Sequence, residues 1–443
     1  MNARTPEKKS YFLNMGPSHP AMHGVIRLLV ELDGERVVGA EAEIGYLHRA
    51  FEKQAEDDSW NNVIPFTDRL NYVSPLINNV GYCLAVEKLC GIEVPERCKY
   101  LRVLASEISR VTDHLTCVGA SAMELGAFTV FLYLMQAREV LYFLVDRLTG
   151  ARVTTSYARI GGVKSDLPAG FEDALREAIA KVRRSIREAD LLLTKNRIFM
   201  DRVRGTGVLP KETALAYGIT GPMLRASGVP YDVRRALPYL VYDRLDFEVP
   251  VGSTGDNYDR YLVRLAETEQ SLRIIEQCLE RMPAGPVGVH EGQLLEAGLM
   301  ADLGKRGKTG HIWKARADGD PVLEGTGSAV KEGISAARPE AVLPAKEEAY
   351  GSIEGLMRHF EVVMWGRGIV PPPGEAYFPV EGGNGELGFH AVSDGGDKPW
   401  RVRVRPPCFF NMAGLHTMLA GGMVADVIAT FGSLNMIAGE LDR

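Results

Sequence analysis

The stretch at residues 94–118, "VPERCKYLRVLASEISRVTDHLTCV", decides the fold class. Pro95 stands near the first position of a predicted helix, where a missing N–H costs nothing. Apolar residues recur every three or four positions along it, with charged residues on the reverse face. The stretch therefore predicts an amphipathic helix that buries one face in a core. The residues of the apolar stripe are Leu101, Leu104, Ile108, Val111, Leu115 and Val118.

Further helices flank this one on both sides. Residues 128–148 are apolar over most of their circumference and end before Gly150, which predicts a central helix of a bundle. Residues 171–195 and 257–282 predict two more amphipathic helices. The glycines and prolines of residues 207–239 predict a mostly irregular segment, and residues 352–365 and 415–431 predict two late helices.

Strand patterns occur near the two ends of the chain. Residues 24–44 alternate around Asp33-Gly34, which predicts a hairpin, and residues 385–394 and 400–406 predict two strands. The predicted fold class is α+β, mainly α: a helical bundle with small antiparallel β elements at the N- and C-terminal ends. Four regions are predicted: 1–62, a loop and hairpin; 63–284, the helical core; 285–346, a charged, Gly-rich and partly disordered surface insertion; 347–443, a helix and β region returning to the core.

Composition excludes several classes of protein. The 443 residues carry a net charge of −6, which argues against nucleic-acid binding. No secretory signal is visible, and the apolar runs at residues 125–135 and 421–439 are too short or too polar to span a bilayer. The six cysteines form no C-x-x-C pair, so cysteine-ligated zinc or iron–sulfur sites are not expected. We expect a cytoplasmic chain in a reducing compartment.

An unusual loop, "NMGPSHPAMHG", occupies residues 14–24. Its prolines and glycines prevent a helix, so His19 and His23 do not share the helical face that metal sites often use. A glycine cluster at residues 204–207 does not sit between a strand and a helix, and is weak evidence for nucleotide binding. The loop instead presents histidines from a stiff backbone.

A family resemblance appears at residues 68–95, "DRLNYVSPLINNVGYCLAVEKLCGIEVP". This stretch resembles large subunits of the nickel–iron hydrogenase superfamily in Arg69, in Ala85-Val86-Glu87, and in Gly91 and Pro95. The four metal-binding cysteines of that family are replaced, by Asn71 and Ser74 here and by Ile437 and Glu440 near the C-terminus. Without these thiolates, no nickel site is expected.

Nearly the whole chain resembles one branch of that superfamily, the D-type subunits of the proton-pumping NADH:quinone oxidoreductase, respiratory complex I. The similarity leaves out the first dozen residues and residues 285–346. It is carried by "GPSHPAMHGVIRLLVELDGE", "IGYLHRAFEK", "ARIGGVKSDLP", "LRASGVPYDVRRALPY" and "GELGFHAVSDGG".

The resemblance implies that the vacated metal cavity became a quinone headgroup site. It implies that electrons reach the quinone from NADH, through flavin and iron–sulfur clusters in partner subunits, while this chain binds neither metal nor flavin. The partners implied are the terminal-cluster subunit, neighbouring peripheral subunits and the quinone-channel membrane subunit. The implied location is peripheral, on the cytoplasmic side of the cell inner membrane.

Three residues receive catalytic roles from the resemblance. His23 and Tyr72 are expected to hydrogen-bond the headgroup; a histidine titrates near pH 6.5 and can deliver a proton, whereas a tyrosine readily donates a hydrogen bond. Glu124 stands where the family has an aspartate beside the loop histidine, and a carboxylate there could pass a proton inward. His19 is expected to stabilise the loop.

The resemblance also assigns residues to the surroundings of an iron–sulfur cluster in a partner subunit. The resemblance places His48, Arg49 and Arg69 near the partner's iron–sulfur cluster or the cavity; a surface salt bridge from Arg49 to Glu52 or Glu56 is the alternative. Thr154 occupies a position where many relatives have a histidine linked to cluster reduction. Threonine does not titrate near neutral pH, so that coupling is not expected here.

Three alternative functions stay open at this point. The first is the same role in a ferredoxin- or reduced-deazaflavin-driven quinone reductase of the same ancestry. The second is a hydrogenase, which would require stoichiometric nickel. The third is a non-catalytic scaffold between peripheral and membrane arms.

Overall fold

The computed structural model describes residues 10–443 apart from residues 24, 290–293, 295–296, 300–345 and 364–367. It confirms the predicted fold class, α+β and mainly α, with small antiparallel sheets at either end. The predicted insertion at residues 285–346 lies largely outside the described residues. The division into four regions stays a prediction.

The N-terminal sheet has three antiparallel strands, β1 (Tyr11–Met15), β2 (Arg27–Asp33) and β3 (Arg36–Glu43). The predicted hairpin is β2–β3, and Gly34 supplies the positive φ of its turn, +65°. The sequence does not show β1, because Met15 alone of its five residues is buried and no alternation results.

The helical body begins with α1 (Phe51–Asp57), α2 (Ile64–Thr67), α3 (Pro75–Cys90), α4 (Glu96–Glu124) and α5 (Phe128–Thr149). Two short strands, β4 (Ala158–Arg159) and β5 (Gly162–Val163), precede α6 (Phe171–Leu193) and α7 (Arg197–Val203). Three helices of four to six residues follow where an irregular segment was predicted: α8 (Lys211–Ala216), α9 (Gly221–Ala226) and α10 (Val233–Ala236). The long α11 (Asn257–Arg281) packs against α4.

The helix α4 is buried on all sides along most of its length, so the prediction of a solvated charged face is wrong. Its ionisable residues have partners inside the protein: Arg102 contacts Glu87 at 2.5 Å, and His114 contacts Glu267 at 2.9 Å. Burial of a charge is tolerated when a partner compensates it. These partners belong to α3 and α11, so the sequence of α4 alone does not predict that its ionisable residues are buried.

The helix α5 was predicted to be central, and this is also wrong. Leu134, Ala137 and Leu141 are buried, but Phe128 and Phe143 are 55% and 58% exposed. By length and composition α5 could cross a membrane, the one helix to do so among the described residues, and 33% of its most apolar window is buried. Hydrophobicity around the whole circumference shows that a helix avoids water but does not identify what covers it.

The C-terminal part consists of α12 (Lys346–Gly351), α13 (Ile353–Val363), β6 (Gly374–Gly382), β7 (Gly385–Ser393), β8 (Arg401–Arg405), α14 (Pro407–Ala413), α15 (Leu415–Leu419), α16 (Asp426–Ser433) and α17 (Ala438–Leu441). The three strands form an antiparallel sheet in chain order. The predicted strands are β7 and β8, whereas β6 was not predicted.

The single helix predicted over residues 415–431 is in fact two helices. Between α15 and α16 the backbone turns to meet β3, where Gly421 N donates to Val37 O at 2.9 Å and Val424 N donates to Glu35 O at 2.8 Å. Gly421 adopts a φ of +81°, which favours glycine. This pairing attaches the last helices to the N-terminal sheet.

Candidate functional site

The histidine loop is held by its own short helical turn. A 3₁₀ turn at Pro20–Met22 follows His19, whose Nδ1 accepts from Ala21 N at 3.2 Å and so caps the turn. Met22 is fully buried beneath it. His19 therefore points at the loop backbone, as expected of a residue that stabilises the loop.

His23 follows this turn and contacts Glu124. Its backbone is left-handed, with a φ of +53°, and its Nε2 lies 3.2 Å from Glu124 Oε1. The imidazole ring meets the ring of Phe431 edge-on at 5.4 Å between centroids. The structure thus brings together two predicted site residues 101 positions apart.

Glu124 is the last residue of α4, and its two oxygens differ in their surroundings. Oε1 contacts His23, whereas Oε2 is buried without a hydrogen-bond partner. A Cβ built on Gly432 of α16 would lie 2.1 Å from Oε2, so a glycine is needed there to admit the carboxylate. With this space, the longer glutamate reaches the histidine.

Tyr72 lies between α2 and α3, on the backbone of α17. A Cβ on Gly439 would lie 3.3 Å from Tyr72 Cδ1 and 2.5 Å from the carbonyl oxygen of Arg69. Partial burial, with a smaller contribution from Cys408, raises the pKa of Tyr72 above its usual value. The phenol therefore keeps its proton at neutral pH and can donate a hydrogen bond.

The first two vacated cysteine positions meet at a buried carboxylate. Asn71 Nδ2 and Ser74 Oγ both donate to Asp113 Oδ2, each at 3.0 Å, and Asn435 Nδ2 donates to Asp113 Oδ1 at 2.7 Å. Asp113 is fully buried in the middle of α4. Amide and hydroxyl groups thus occupy places where the resemblance to nickel–iron hydrogenases implies thiolates.

The second pair of vacated positions joins the same cluster through Cys408. Its thiol lies 3.7 Å from the carbonyl oxygen of Asn435 and 3.4 Å from Ile437 N, and its own backbone N donates to Glu440 Oε1 at 2.9 Å. Burial raises the pKa of Glu440 to about 7. All four positions therefore surround one connected cluster, which we call the vacated-cavity cluster: Asn71, Ser74, Asp113, Cys408, Asn435, Ile437 and Glu440.

Comparisons with known proteins show the family of this chain. The family described as "Respiratory-chain NADH dehydrogenase, 49 Kd subunit" matches residues 124–443. The chain is 49% identical over 432 residues to a D-type subunit of NADH-quinone oxidoreductase from Sorangium cellulosum, covering 97% of this chain and 95% of that protein. The chain belongs to the family of D-type subunits of NADH-quinone oxidoreductase.

Other members of this family are similar over the same length. The D-type subunit of Myxococcus xanthus is 46% identical over 99% of this chain and 94% of its own length. A C/D-type subunit of NADH-quinone oxidoreductase from Bdellovibrio bacteriovorus is 44% identical, and the match covers 97% of this chain and 68% of that protein.

The residues that the family resemblance assigns to the partner's cluster are anchored by backbone carbonyls. His48 Nδ1 lies 2.9 Å from Asp442 O, and Arg49 Nη2 donates to Phe66 O at 2.8 Å. The alternative salt bridge of Arg49 is wrong among the described contacts. Its proposed partners Glu52 and Glu56 contact Arg401 instead, at 3.4 and 2.8 Å.

Arg69 lies against a carboxylate that sequence reasoning missed. Arg69 Nη1 donates to Asp68 Oδ1 at 2.8 Å, and burial raises the pKa of Asp68 to about 6 in spite of this ion pair. Burial, followed by the charge of Arg69, lowers the pKa of Arg49 below its usual value. Arg49, Arg69 and the Asp68 carboxyl, which ionises less readily than usual, therefore lie close together.

Thr154 lies in the loop after α5 with a φ of +51°, and its hydroxyl donates to the neighbouring carbonyl of Val153. No described hydrogen bond joins it to His23 or Tyr72. The residues that sequence reasoning missed within the vacated-cavity cluster are Asp113, Asn435 and Cys408. Asp113 sits among other charged positions of α4, and the sequence carries no signal that separates it from them.

Proposed function

We propose that this chain is the quinone-site subunit of a proton-pumping NADH:quinone oxidoreductase, and that His23 and Tyr72 bind the quinone headgroup. One observation carries the proposal. The side chains of His23 and Tyr72 are each about one-third exposed, at 35% and 38%, whereas the groups that back them, Phe431 and Gly439, are buried. Hydrogen-bond donors fixed on a rigid base and open on one side suit a ligand with two carbonyl oxygens.

The chemistry requires two protons for each quinone. Two electrons and two protons convert the two carbonyl groups to hydroxyl groups, and a terminal iron–sulfur cluster in a partner subunit supplies the electrons. A protonated His23 gives the first proton to one oxygen, and Tyr72 hydrogen-bonds the other oxygen and gives it the second proton. Tyr72 must regain any proton that it transfers, because its phenolate is unfavourable in this surrounding.

Glu124 acts behind His23 in this proposal. Its Oε1 faces the imidazole, and its second oxygen has no competing donor, so the carboxylate can take up a proton and pass it to the imidazole once the quinone has taken one. The positive charges of Arg49 and Arg69 favour electrons on a neighbouring cluster, and His48 lies beside Arg49 in the motif. The chain then lies peripherally on the cytoplasmic side of the inner membrane, between the terminal-cluster subunit and the membrane subunit of the quinone channel.

The test replaces the two ligands of the headgroup in the membrane-bound complex. We expect His23→Ala to lower quinone reduction by about 100-fold, the scale of a positioned general acid. Tyr72→Phe removes a single hydrogen bond and is expected to cost about 10-fold. NADH should still reduce the clusters, and the complex should still assemble. Normal turnover in both variants would favour the scaffold alternative.

A further inference from the structure

A small cavity lies between α4, α11 and α16, apart from the proposed headgroup ligands. Its wall includes Cys117 and Ser121 of α4, Arg264 of α11 and Ser433 of α16. The space open to the centre of a water-sized sphere is about 20 Å³, which is enough for one water-sized or monatomic species.

Arg264 lines this cavity and carries nitrogens without hydrogen-bond partners. Its side chain is buried, with the residue 2% exposed, and Nε and Nη2 have no hydrogen-bond partner. Nη1 makes one long hydrogen bond, 3.4 Å to the carbonyl oxygen of Arg260. A guanidinium does not give up its charge in a protein, so it needs a compensating charge.

Arg260, one helical turn earlier, is a second buried cation and adds to the need for a compensating negative charge. It is fully buried, and its partners are neutral: Asn257 Oδ1 at 2.8 Å, Ser433 Oγ at 2.9 Å and backbone carbonyls. Burial, followed by the charge of Arg264, lowers the pKa of Arg260 to about 9. Two buried cations thus stand side by side, and no carboxylate lies within salt-bridge distance of either among the described residues.

The carboxylates around the two arginines hold other partners: Asp256 and Asp259, whose charges act on Arg260, accept from the backbone N–H groups of Gly205 and Ser253. Asp113 accepts from Asn71, Ser74 and Asn435, as described above, and Glu124 faces His23. Glu267 contacts Arg225 at 2.6 Å and His114 at 2.9 Å, on the side of α11 that faces α4 and α9.

We propose that the cavity binds a small monovalent anion of chloride size, held by Nε and Nη2 of Arg264. A water molecule could accept the same two N–H groups but would leave the charge uncompensated. The hydroxyls of Ser121 and Ser433 already donate, to Gly432 O and to Asn257 Oδ1. The rest of the wall is mainly apolar, with Val118 and Phe199 among its residues, and gives a weakly hydrated halide a dry site.

The test is a crystal structure of the whole complex prepared with bromide in place of chloride. We expect an anomalous peak in the cavity, within hydrogen-bonding distance of Arg264 Nε and Nη2. Density without an anomalous signal would mean water and would overturn the proposal. A Glu124 carboxylate turned into the cavity against Arg264 would overturn it as well.

A pair of variants assigns the binding to one side chain. Arg264→Gln should abolish the peak, whereas Arg273→Gln, the same change farther along α11, should keep it. Arg273 is a suitable control because its guanidinium is 38% exposed and contacts Asp246 on the surface. A peak that survives Arg264→Gln contradicts the proposal, and if this variant fails to assemble, the bromide map of the unaltered complex decides.

Discussion

At the scale of single residues, the contact between Glu124 and His23 can serve one of two roles. Glu124 either passes protons to the imidazole or only holds it in position. Glu124→Gln keeps an oxygen that can accept from the imidazole but cannot carry a proton. If Glu124 relays protons, kcat for quinone reduction should fall by about 10- to 100-fold with KM nearly unchanged, since proton transfer by a positioned group contributes on that scale. The matched control is Glu177→Gln on the exposed surface of α6. Full activity in Glu124→Gln would reduce the carboxylate to a positioning role.

Gly432 offers an independent test of the same contact. An alanine Cβ there would lie 2.1 Å from Glu124 Oε2, so Gly432→Ala should push the carboxylate away from His23. Alanine otherwise favours a helix over glycine by about 1 kcal/mol, so the variant should fold. We expect quinone reduction to fall as in Glu124→Gln, while Gly351→Ala, which meets open space, changes nothing. A structure of the variant with the 3.2 Å contact intact would contradict this expectation.

The residues of the site differ in how far the sequence reveals them. His23, Tyr72 and Glu124 were predicted through the resemblance, since a loop histidine or a helix-end glutamate is ordinary by itself. Asp113 and Asn435 could not be found, because their importance depends on a contact between positions 322 apart in the chain. Only the folded chain shows which buried carboxylate the vacated positions share.

At the scale of elements, the 3₁₀ turn at Pro20–Met22 orders the loop before a ligand arrives. His19→Ala removes its cap, and the loss of such a cap costs about 1 kcal/mol. A loop that must be ordered on binding should raise KM for quinone by about 5-fold with kcat little changed. His19→Asn restores a capping acceptor and should rescue KM. A fall in kcat without a change in KM would instead mean that His19 takes part in the chemistry.

The errors in predicting elements share one physical origin. Local periodicity places α4 and α5 correctly but assigns the wrong surroundings to both. Ionisable residues of α4 are buried because Glu87 and Glu267 come from other helices to contact them, and Phe128 and Phe143 of α5 stay exposed because nothing in the described part of this chain covers them. The break between α15 and α16 has the same origin, because it follows from pairing with β3. Periodicity reports the polarity of a face, whereas the contacts of that face are set by distant sequence.

At the scale of the whole molecule, the C-terminal end joins the N-terminal third of the chain to the site. Asp442 accepts from Gly45 N and Leu47 N, each at 2.9 Å, and Gly439 lies under Tyr72. We expect Asp442→Ala to release the segment around His48, since hydrogen bonds to a charged group are worth about 1.5–3 kcal/mol each. Faster amide hydrogen exchange at residues 45–50, with unchanged exchange in α6, is the expected result. Unchanged exchange at residues 45–50 would show that other contacts hold this segment.

The same terminus carries a carboxyl whose protonation should follow pH near neutrality. Burial raises the folded-state pKa of Glu440 to about 7, so between its usual pKa and about pH 7 the folded chain keeps a proton that the unfolded chain releases. Stability therefore falls as pH rises through this window, by about 3 kcal/mol in all. Glu440→Gln should remove this loss of stability with rising pH, because glutamine does not ionise. The side-chain oxygen of the glutamine can still accept from Cys408 N.

Infrared titration of the complex measures this directly. A protonated-carboxyl band should be present in the unaltered complex at about pH 5 and lost with a midpoint near pH 7. The band should be missing at every pH in Glu440→Gln and present in Glu177→Gln. Because Glu440 binds the backbone of Cys408 inside the vacated-cavity cluster, its ionisation also places a negative charge near Asp113. A band that is unchanged in Glu440→Gln would mean that Glu440 is already ionised in the folded chain, and that the cluster carries its charge at all these pH values.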